Sequence, residues 1–179
     1  LFIDGEWESP DREPIDVSNP ASPQPIGRSE VLPGLVDAVV VADDGQERHA
    51  YAAAGDQVVA LAIGADGEMT VEGAVAMPGY TTVLALAEGR LYAGGMVPGE
   101  DGEASGFVAT VAALPEALGL VDLVALSQPV RAIALDEDAL YVGHNGGLSA
   151  TLVNDGQIGD LRRLGGVAEV YALQVVGST

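Results

Sequence analysis

Four stretches of this sequence decide its fold: LFIDG at 1–5, YAAAG at 51–55, LYAGG at 91–95 and LYVGH at 140–144. Their aromatic residues are Phe2, Tyr51, Tyr92 and Tyr141, which by subtraction lie 49, 41 and 49 residues apart. A recurrence of about 46 residues is the period of a β-propeller blade, a four-stranded antiparallel sheet. The spacing therefore predicts an all-β chain of about four blades.

Short apolar runs alternate with Gly, Asp, Asn and Pro, as in strands joined by hairpins. Three strands are predicted at 1–5, 15–17 and 25–31. Three quartets follow: Val36–Ala42, His49–Ala54, Val58–Ile63 and Met69–Ala76; Thr82–Ala87, Leu91–Met96, Phe107–Ala113 and Leu120–Leu126; Val130–Leu135, Ala139–Gly143, Leu148–Val153 and Ile158–Leu164. A last strand is predicted over Val167–Val176.

These strands divide one domain, residues 1–179, into repeats. The predicted blades cover 1–34, 35–79, 80–129 and 130–166, and residues 167–179 supply a closing strand or the first strand of another blade. If the last strand pairs with the three at the start, four blades form a closed ring without exposed edges. The alternative is part of a larger ring, and a copy of the chain or another protein could complete it.

The turns support this division. Asp66-Gly67 and Asp155-Gly156 stand between apolar runs, and Asp-Gly favours tight hairpins. Residues 98–106 form a Gly- and acid-rich insertion, which we expect to be a solvent-exposed loop of the kind that often carries binding.

Composition limits the partners. The chain has 27 acidic and 7 basic residues, a net charge of −20, and it repels phosphate backbones and anionic lipids. Nucleic acid is therefore not an expected partner. Its most apolar region, 104–135, is interrupted by Pro115, Glu116 and Asp122, so no membrane span is predicted. There is no cysteine, which excludes disulfides and thiol chemistry.

A family resemblance is carried by IDVSNPASPQPIGRSEVLPG at 15–34, followed by AVVVAD at 38–43 and AYAAAGDQVVALAI at 50–63. This pattern resembles the LVIVD repeat. The resemblance is concentrated in residues 13–63, and the later repeats keep only the A-Y or L-Y strand. It implies a β-propeller in an extracellular, cell-surface or periplasmic protein, usually without a known enzymatic activity. LFIDGEW at 1–7 and residues 15–28 are also similar to the start of aldehyde dehydrogenases, but those enzymes need a catalytic cysteine, so we interpret this similarity as coincidence.

No catalytic, cofactor-binding or metal-ligating residue is assigned. The acidic runs at 43–44, 100–101 and 136–138 could offer carboxylates to Ca²⁺, but they lack the alternating spacing of a calcium loop, and we interpret them as solvated turns. His49 and His144 have no second ligand at metal-binding spacing. A triad of Ser149, His144 and an Asp lacks a nucleophile-elbow signature.

The predicted function is that of a non-enzymatic module for protein interaction or scaffolding, with a protein partner or self-association. The candidate partner contacts are Trp7, Glu100, Asp101, Arg162 and Arg163. The alternative is a propeller-type enzyme, resembling a lactonase or a quinoprotein, with its site at the central channel.

Overall fold

The structure is a computed structural model that describes residues 2–3, 6–7, 15–18, 25–29, 32, 34–43, 47–99, 102–113, 118–166 and 168–175. All regular elements in these ranges are β-strands, and every pairing between them is antiparallel. The all-β class is therefore confirmed. No helix with the length and apolarity to span a membrane occurs in the described part of the chain.

The first strands form two small pairs. The strands are β1 (Phe2–Ile3), β2 (Glu6–Trp7), β3 (Ile15–Ser18) and β4 (Pro25–Ser29). β1 pairs with β2, and β3 pairs with β4.

Three larger sheets follow in chain order. The first contains β5 (Val36–Asp43), β6 (Arg48–Ala54), β7 (Gln57–Ile63) and β8 (Met69–Ala76). The second contains β9 (Tyr80–Ala87), β10 (Arg90–Pro98), β11 (Ala104–Ala112) and β12 (Gly119–Leu126). The third contains β13 (Val130–Asp136), β14 (Ala139–His144), β15 (Gly147–Asn154), β16 (Gln157–Ile158) and β17 (Arg162–Leu164). Within each sheet, strands that follow one another in sequence are neighbours, except that β17 pairs with β15 and not with β16.

The first two predicted quartets are confirmed, and the third is confirmed with a change. Its outermost strand is divided, because β16 and β17 both pair with β15 and residues 159–161 between them are not in a strand. The expected last strand, Val167–Val176, is not formed over the described residues 168–175. This segment nevertheless rests on the third sheet, where Val170 is 9% exposed.

The expected loop at 98–106 is partly wrong. β10 continues to Pro98 and β11 begins at Ala104, and these two residues are paired. The insertion therefore lengthens a hairpin, because its flanking residues continue the ladder instead of leaving it.

The core lies in two seams on either side of the second sheet, and a third buried cluster, which includes Ala52 and Val59, lies on the other face of the first sheet. One face of that sheet carries Leu91, Phe107 and Val111, which pack with Tyr51 and Val58 of the first sheet. Its other face carries Tyr92 and Val108, which pack with residues of the third sheet that include Ile133, Leu140 and Val142. The two faces alternate along β10 and β11 because successive strand residues point to opposite sides.

Candidate functional site

A cleft of about 160 Å³ opens between the second and third sheets. Its charged and polar lining comes from three hairpin ends: Glu88, Arg90, Tyr92, Glu137, Asp138, Asn154 and Asp155. We call this place the seam cleft. The hairpins are β9–β10, β13–β14 and β15–β16, so the stacking of two sheets brings together turns that are distant in sequence.

Three turn residues of the seam cleft have a left-handed backbone. The φ angles are 51° at Glu88, 50° at Glu137 and 49° at Asp155. Two-residue hairpin turns require this conformation, which Asp adopts more readily than Glu. The turns therefore place three carboxylate-bearing residues at one rim.

The charged side chains that line the seam cleft are all acidic except Arg90. Arg90 lies 3.9 Å from the Asp155 carboxylate, but these side chains are 36% and 93% exposed, so the ion pair contributes little to stability. Burial raises the pKa of Tyr92; Arg90 opposes this shift, while Glu88 and Asp138 add to it. The Tyr92 hydroxyl therefore stays neutral at physiological pH.

Metal binding has no geometric support in the described ranges, where no group of three or more His, Asp or Glu side chains is placed to hold an ion. Asp136, Glu137 and Asp138 belong to the β13–β14 hairpin and its flanks. Glu100 and Asp101 lie outside the described residues. The Ca²⁺ hypothesis stays a prediction.

His144 and Ser149 form a buried hydrogen-bonded pair in the β14–β15 hairpin. The distance from His144 Nε2 to Ser149 Oγ is 3.0 Å, and the backbone N–H of Gly146 donates to His144 Nδ1 at 3.1 Å. Because Nδ1 accepts that hydrogen bond, the neutral ring carries its proton on Nε2 and donates it to Ser149. Burial, and then the charge of Arg163, lower the pKa of His144 and favour this neutral form.

This arrangement does not match a hydrolytic triad. A general base needs a free lone pair toward the serine, and a triad carboxylate accepts the proton of Nδ1. In this hairpin Nε2 donates to the serine instead of accepting from it, and Nδ1 accepts a hydrogen bond instead of donating one. We therefore interpret His144 and Ser149 as a structural pair that holds the hairpin closed.

The candidate partner contacts are only partly brought together. Arg162 and Arg163 are exposed on β17, opposite Ala150 and Ser149 of β15. Trp7 lies in β2 and pairs with Phe2. The structure adds the exposed Arg131, whose Nε donates to Asn145 Oδ1 at 3.2 Å.

Two features were missed or only half seen in the sequence. Glu88 and Arg90 of the seam cleft were not singled out, although Glu88 and Glu137 lie 49 residues apart, the same separation as Tyr92 and Tyr141. An alignment of the repeats on Tyr92 and Tyr141 would place Glu88 and Glu137 at the same position. His49, considered without a partner in sequence, has Nδ1 at 3.0 Å from Glu72 and Nε2 at 3.5 Å from Glu47.

No protein-family model matches this chain, and no curated protein matches it. Among solved structures, the computationally designed Ika4 protein is similar with a TM-score of 0.58 and 17% identity, over 87% of this chain and 89% of that one. A protein from Lactobacillus plantarum has a TM-score of 0.55 and 14% identity, over 72% of this chain and 40% of its own. A functionally unknown protein from Desulfotomaculum acetoxidans has a TM-score of 0.54 and 13% identity, over 75% and 44%.

These likenesses define the class of fold, a series of antiparallel four-stranded sheets. The chain spans less than half the length of the two bacterial proteins that it matches. At these identities the likeness is one of fold alone.

Proposed function

We propose that the three sheets are blades of a β-propeller and that the protein is a non-enzymatic module that binds a protein partner through an exposed blade face. The contacts between sheets support the radial arrangement. β5, the first strand of its sheet, contacts β9, and β9 contacts β13, which are the first strands of the next two sheets. First strands line the central axis of a propeller and meet in this succession.

The repeated tyrosines support the same arrangement. Tyr51 packs in the seam with the second sheet, and Tyr92 packs in the seam with the third. Tyr141 lies beside Leu173 and Val175. Each tyrosine therefore points toward whatever follows its own sheet.

The observation that carries the proposed function is an uncovered packing position on β5. Val39, Leu84 and Ile133 occupy the same place in their sheets, because each pairs with the residue that follows a repeated tyrosine. Leu84 and Ile133 are 8% and 7% exposed, whereas Val39 is 54% exposed. Val41, two residues along β5, is 50% exposed. On the same face of the first sheet Ala52 and Val59 are buried, so Val39 and Val41 form an open apolar strip along β5. Open apolar patches mark interaction sites.

The proposal includes membership of the LVIVD-repeat type and an extracellular, cell-surface or periplasmic location. Both rest on the resemblance at residues 13–63, which implies them. The strongly acidic composition, with its net charge of −20, suits a protein that recognises other proteins and not nucleic acid.

The experiment that tests the function class is native mass spectrometry of the purified protein, together with its ultraviolet and visible absorbance. We expect a mass that corresponds to polypeptide alone and no absorption beyond that of the aromatic residues. A stoichiometric cation or a quinone chromophore would overturn the proposal in favour of a propeller-type enzyme.

A further inference from the structure

We propose that the seam cleft binds a primary ammonium group on an alkyl chain, supplied by a small free amine or by a lysine side chain of another protein. The cleft lies between the second and third sheets, whereas the apolar strip at Val39 and Val41 lies on β5 of the first sheet. The inference therefore goes beyond the proposed function, and its failure would leave that function untouched.

A buried hydroxyl in the seam cleft is free to bind a ligand. Tyr92 lines the cleft and is 5% exposed, and its ring packs in the second seam. Besides burial, the charges of Arg90, Glu88 and Asp138 shift the pKa of the Tyr92 hydroxyl, so this hydroxyl lies within reach of the charged lining. Within the described part of the chain it makes no hydrogen bond. A buried tyrosine hydroxyl usually has a partner, and a ligand in the cleft would supply one.

The equivalent tyrosine of the first seam shows which contact is missing. The Tyr51 hydroxyl donates to the carbonyl of Ala113 at 3.0 Å. Counted from the strand pairing in each sheet, the counterpart of Ala113 in the third sheet is Val153. Val153 lines the seam cleft, but Tyr92 and Val153, both described, are not hydrogen-bonded to each other. The second seam therefore lacks a hydrogen bond that the first seam makes.

The charge of the lining selects a cation. Four carboxylates, those of Glu88, Glu137, Asp138 and Asp155, and one guanidinium, that of Arg90, line the cleft. Arg90 approaches Asp155, and in the described ranges the other three carboxylates form no ion pair. A cleft lined mainly by one sign of charge concentrates ligands of the opposite sign.

The placement of these groups favours an ammonium ion over a metal ion. In the part of the chain that the structure describes, no three acidic side chains are placed to hold one ion. An ammonium group has three N–H donors that point in different directions, so it can donate to the Tyr92 hydroxyl and to separate carboxylates. Ala87, Leu135 and Val153 also line the cleft and provide apolar contacts for the methylene groups of an alkyl chain.

The size of the seam cleft fits a short alkylammonium ion. An apolar cavity of about 150 Å³ holds benzene, and this cleft of about 160 Å³ has room for n-butylammonium, which has one non-hydrogen atom fewer. The lysine side chain is itself a butylammonium group. All seven basic residues of this chain are arginine, so no side chain of the protein or of a second copy can supply this group.

The first test is an NMR titration of the isotope-labelled protein with n-butylammonium chloride at neutral pH and constant ionic strength. We expect saturable shifts of the amide signals of Glu88, Glu137 and Asp155, one from each hairpin end. Tetramethylammonium has the same charge and no N–H donor, so it should bind at least about fivefold more weakly. The absence of saturable shifts with n-butylammonium would overturn the inference. Equal affinity for the two cations would also overturn it, because attraction by net charge alone would then suffice.

The second test uses variants. Tyr92→Phe keeps the buried ring and should weaken n-butylammonium binding at least about fivefold, while the urea midpoint stays nearly unchanged because no internal hydrogen bond is lost. The variant E88Q/D138N should weaken binding at least about threefold. The matched control D37N/E68Q neutralises two exposed carboxylates of the first sheet and its turn, and it should bind like the wild type. Wild-type affinity in folded Tyr92→Phe, or in E88Q/D138N, would overturn the inference.

The source of the ammonium group is tested with the blocked peptide acetyl-Gly-Lys-Gly-amide. Affinity equal to that of n-butylammonium would point to a lysine side chain of a protein, and binding of n-butylammonium alone would point to a free amine. Both results support the ammonium site. The control is the same peptide acetylated on lysine Nζ, which has lost its charge and should not bind. Saturable binding of this control at the cleft amides would overturn the inference.

Discussion

Adjacent glycines of β10 offer the sharpest test of how the sheets are packed. Gly94 and Gly95 point to opposite faces. A Cβ atom at Gly94 would meet side-chain ends, Val130 Cγ1 at 2.7 Å and Ile133 Cδ1 at 2.9 Å. At Gly95 it would overlap the backbone carbonyl oxygen of Tyr80. Side chains can shift by an ångström, but a paired backbone cannot do so without losing its ladder.

The two alanine substitutions should therefore destabilise the protein to different extents. Overpacking costs about 1–3 kcal/mol, and replacing a strand glycine by alanine returns roughly 0.5–1 kcal/mol, so Gly94→Ala should lose at most about 2.5 kcal/mol. Gly95→Ala must separate the paired residues Gly95 and Thr81, and Met96 and Tyr80. At about 1 kcal/mol for each lost hydrogen bond and about 1–3 kcal/mol for each buried group left unpaired, its loss should exceed about 3 kcal/mol.

Urea unfolding followed by far-ultraviolet circular dichroism measures both losses. With an m-value of roughly 2 kcal/mol/M, the midpoint should fall by at most about 1.2 M for Gly94→Ala and by more than about 1.5 M for Gly95→Ala. Equal midpoints, or a more stable Gly95→Ala, would refute the close approach of β9 and β10 on which this reasoning depends.

Three further predictions concern single polar contacts. Tyr51→Phe removes the 3.0 Å hydrogen bond to the Ala113 carbonyl in the second sheet, and it should lower the free energy of unfolding by about 1–2 kcal/mol in urea titrations; an unchanged midpoint would contradict this contact. Asp122→Ala removes the carboxylate that accepts a hydrogen bond from the Ile158 N–H at 2.7 Å. It should lower the free energy of unfolding by about 1.5–3 kcal/mol and speed amide exchange at Ile158. Unchanged exchange protection of the Ile158 amide would contradict this contact. Because burial lowers the pKa of His144 in the folded state, the stabilisation from its neutral ring is complete above the unfolded pKa near 6.5 and is lost as the pH falls through the folded pKa. His144→Gln should therefore lose less free energy of unfolding between pH 7.5 and 5 than the wild type, by at most about 1.4 kcal/mol per pH unit. Equal pH dependence of stability in the two proteins would argue against a buried neutral ring.

The three larger sheets could be predicted because their signals are local. Alternating apolar residues and turn residues fix strands such as β6 and β7, and the repeat spacing fixes their grouping. The segment at 168–175 has a similar apolar pattern, but a pattern cannot provide a pairing partner. Residues 168–175 consequently pack as a first strand without joining a ladder.

The seam cleft could not be predicted in the same way. Asp136–Asp138 stood out as an acidic run, but its proximity to Glu88 and Asp155 depends on which hairpin ends meet across two sheets. Similarly, His144 and Ser149 are visible in the sequence as potential catalytic types. The direction of their hydrogen bond depends on the Gly146 N–H, which only the folded hairpin places at Nδ1.

The recurrence that defines the fold is a packing signal, and this explains why it predicts architecture better than activity. Tyr51 lies in the first seam, where its hydroxyl donates to the carbonyl of Ala113, the residue after β11, and Tyr92 is buried in the second seam. A residue that recurs because it packs between neighbouring sheets fixes the distance between those sheets. It places no constraint on the sequence of their outer turns. Val39 occupies the same place in its sheet as Leu84 and Ile133, and it differs from them in exposure and not in apolar type. The binding strip proposed at Val39 is therefore distinguished from the core by its surroundings in the fold and not by its sequence.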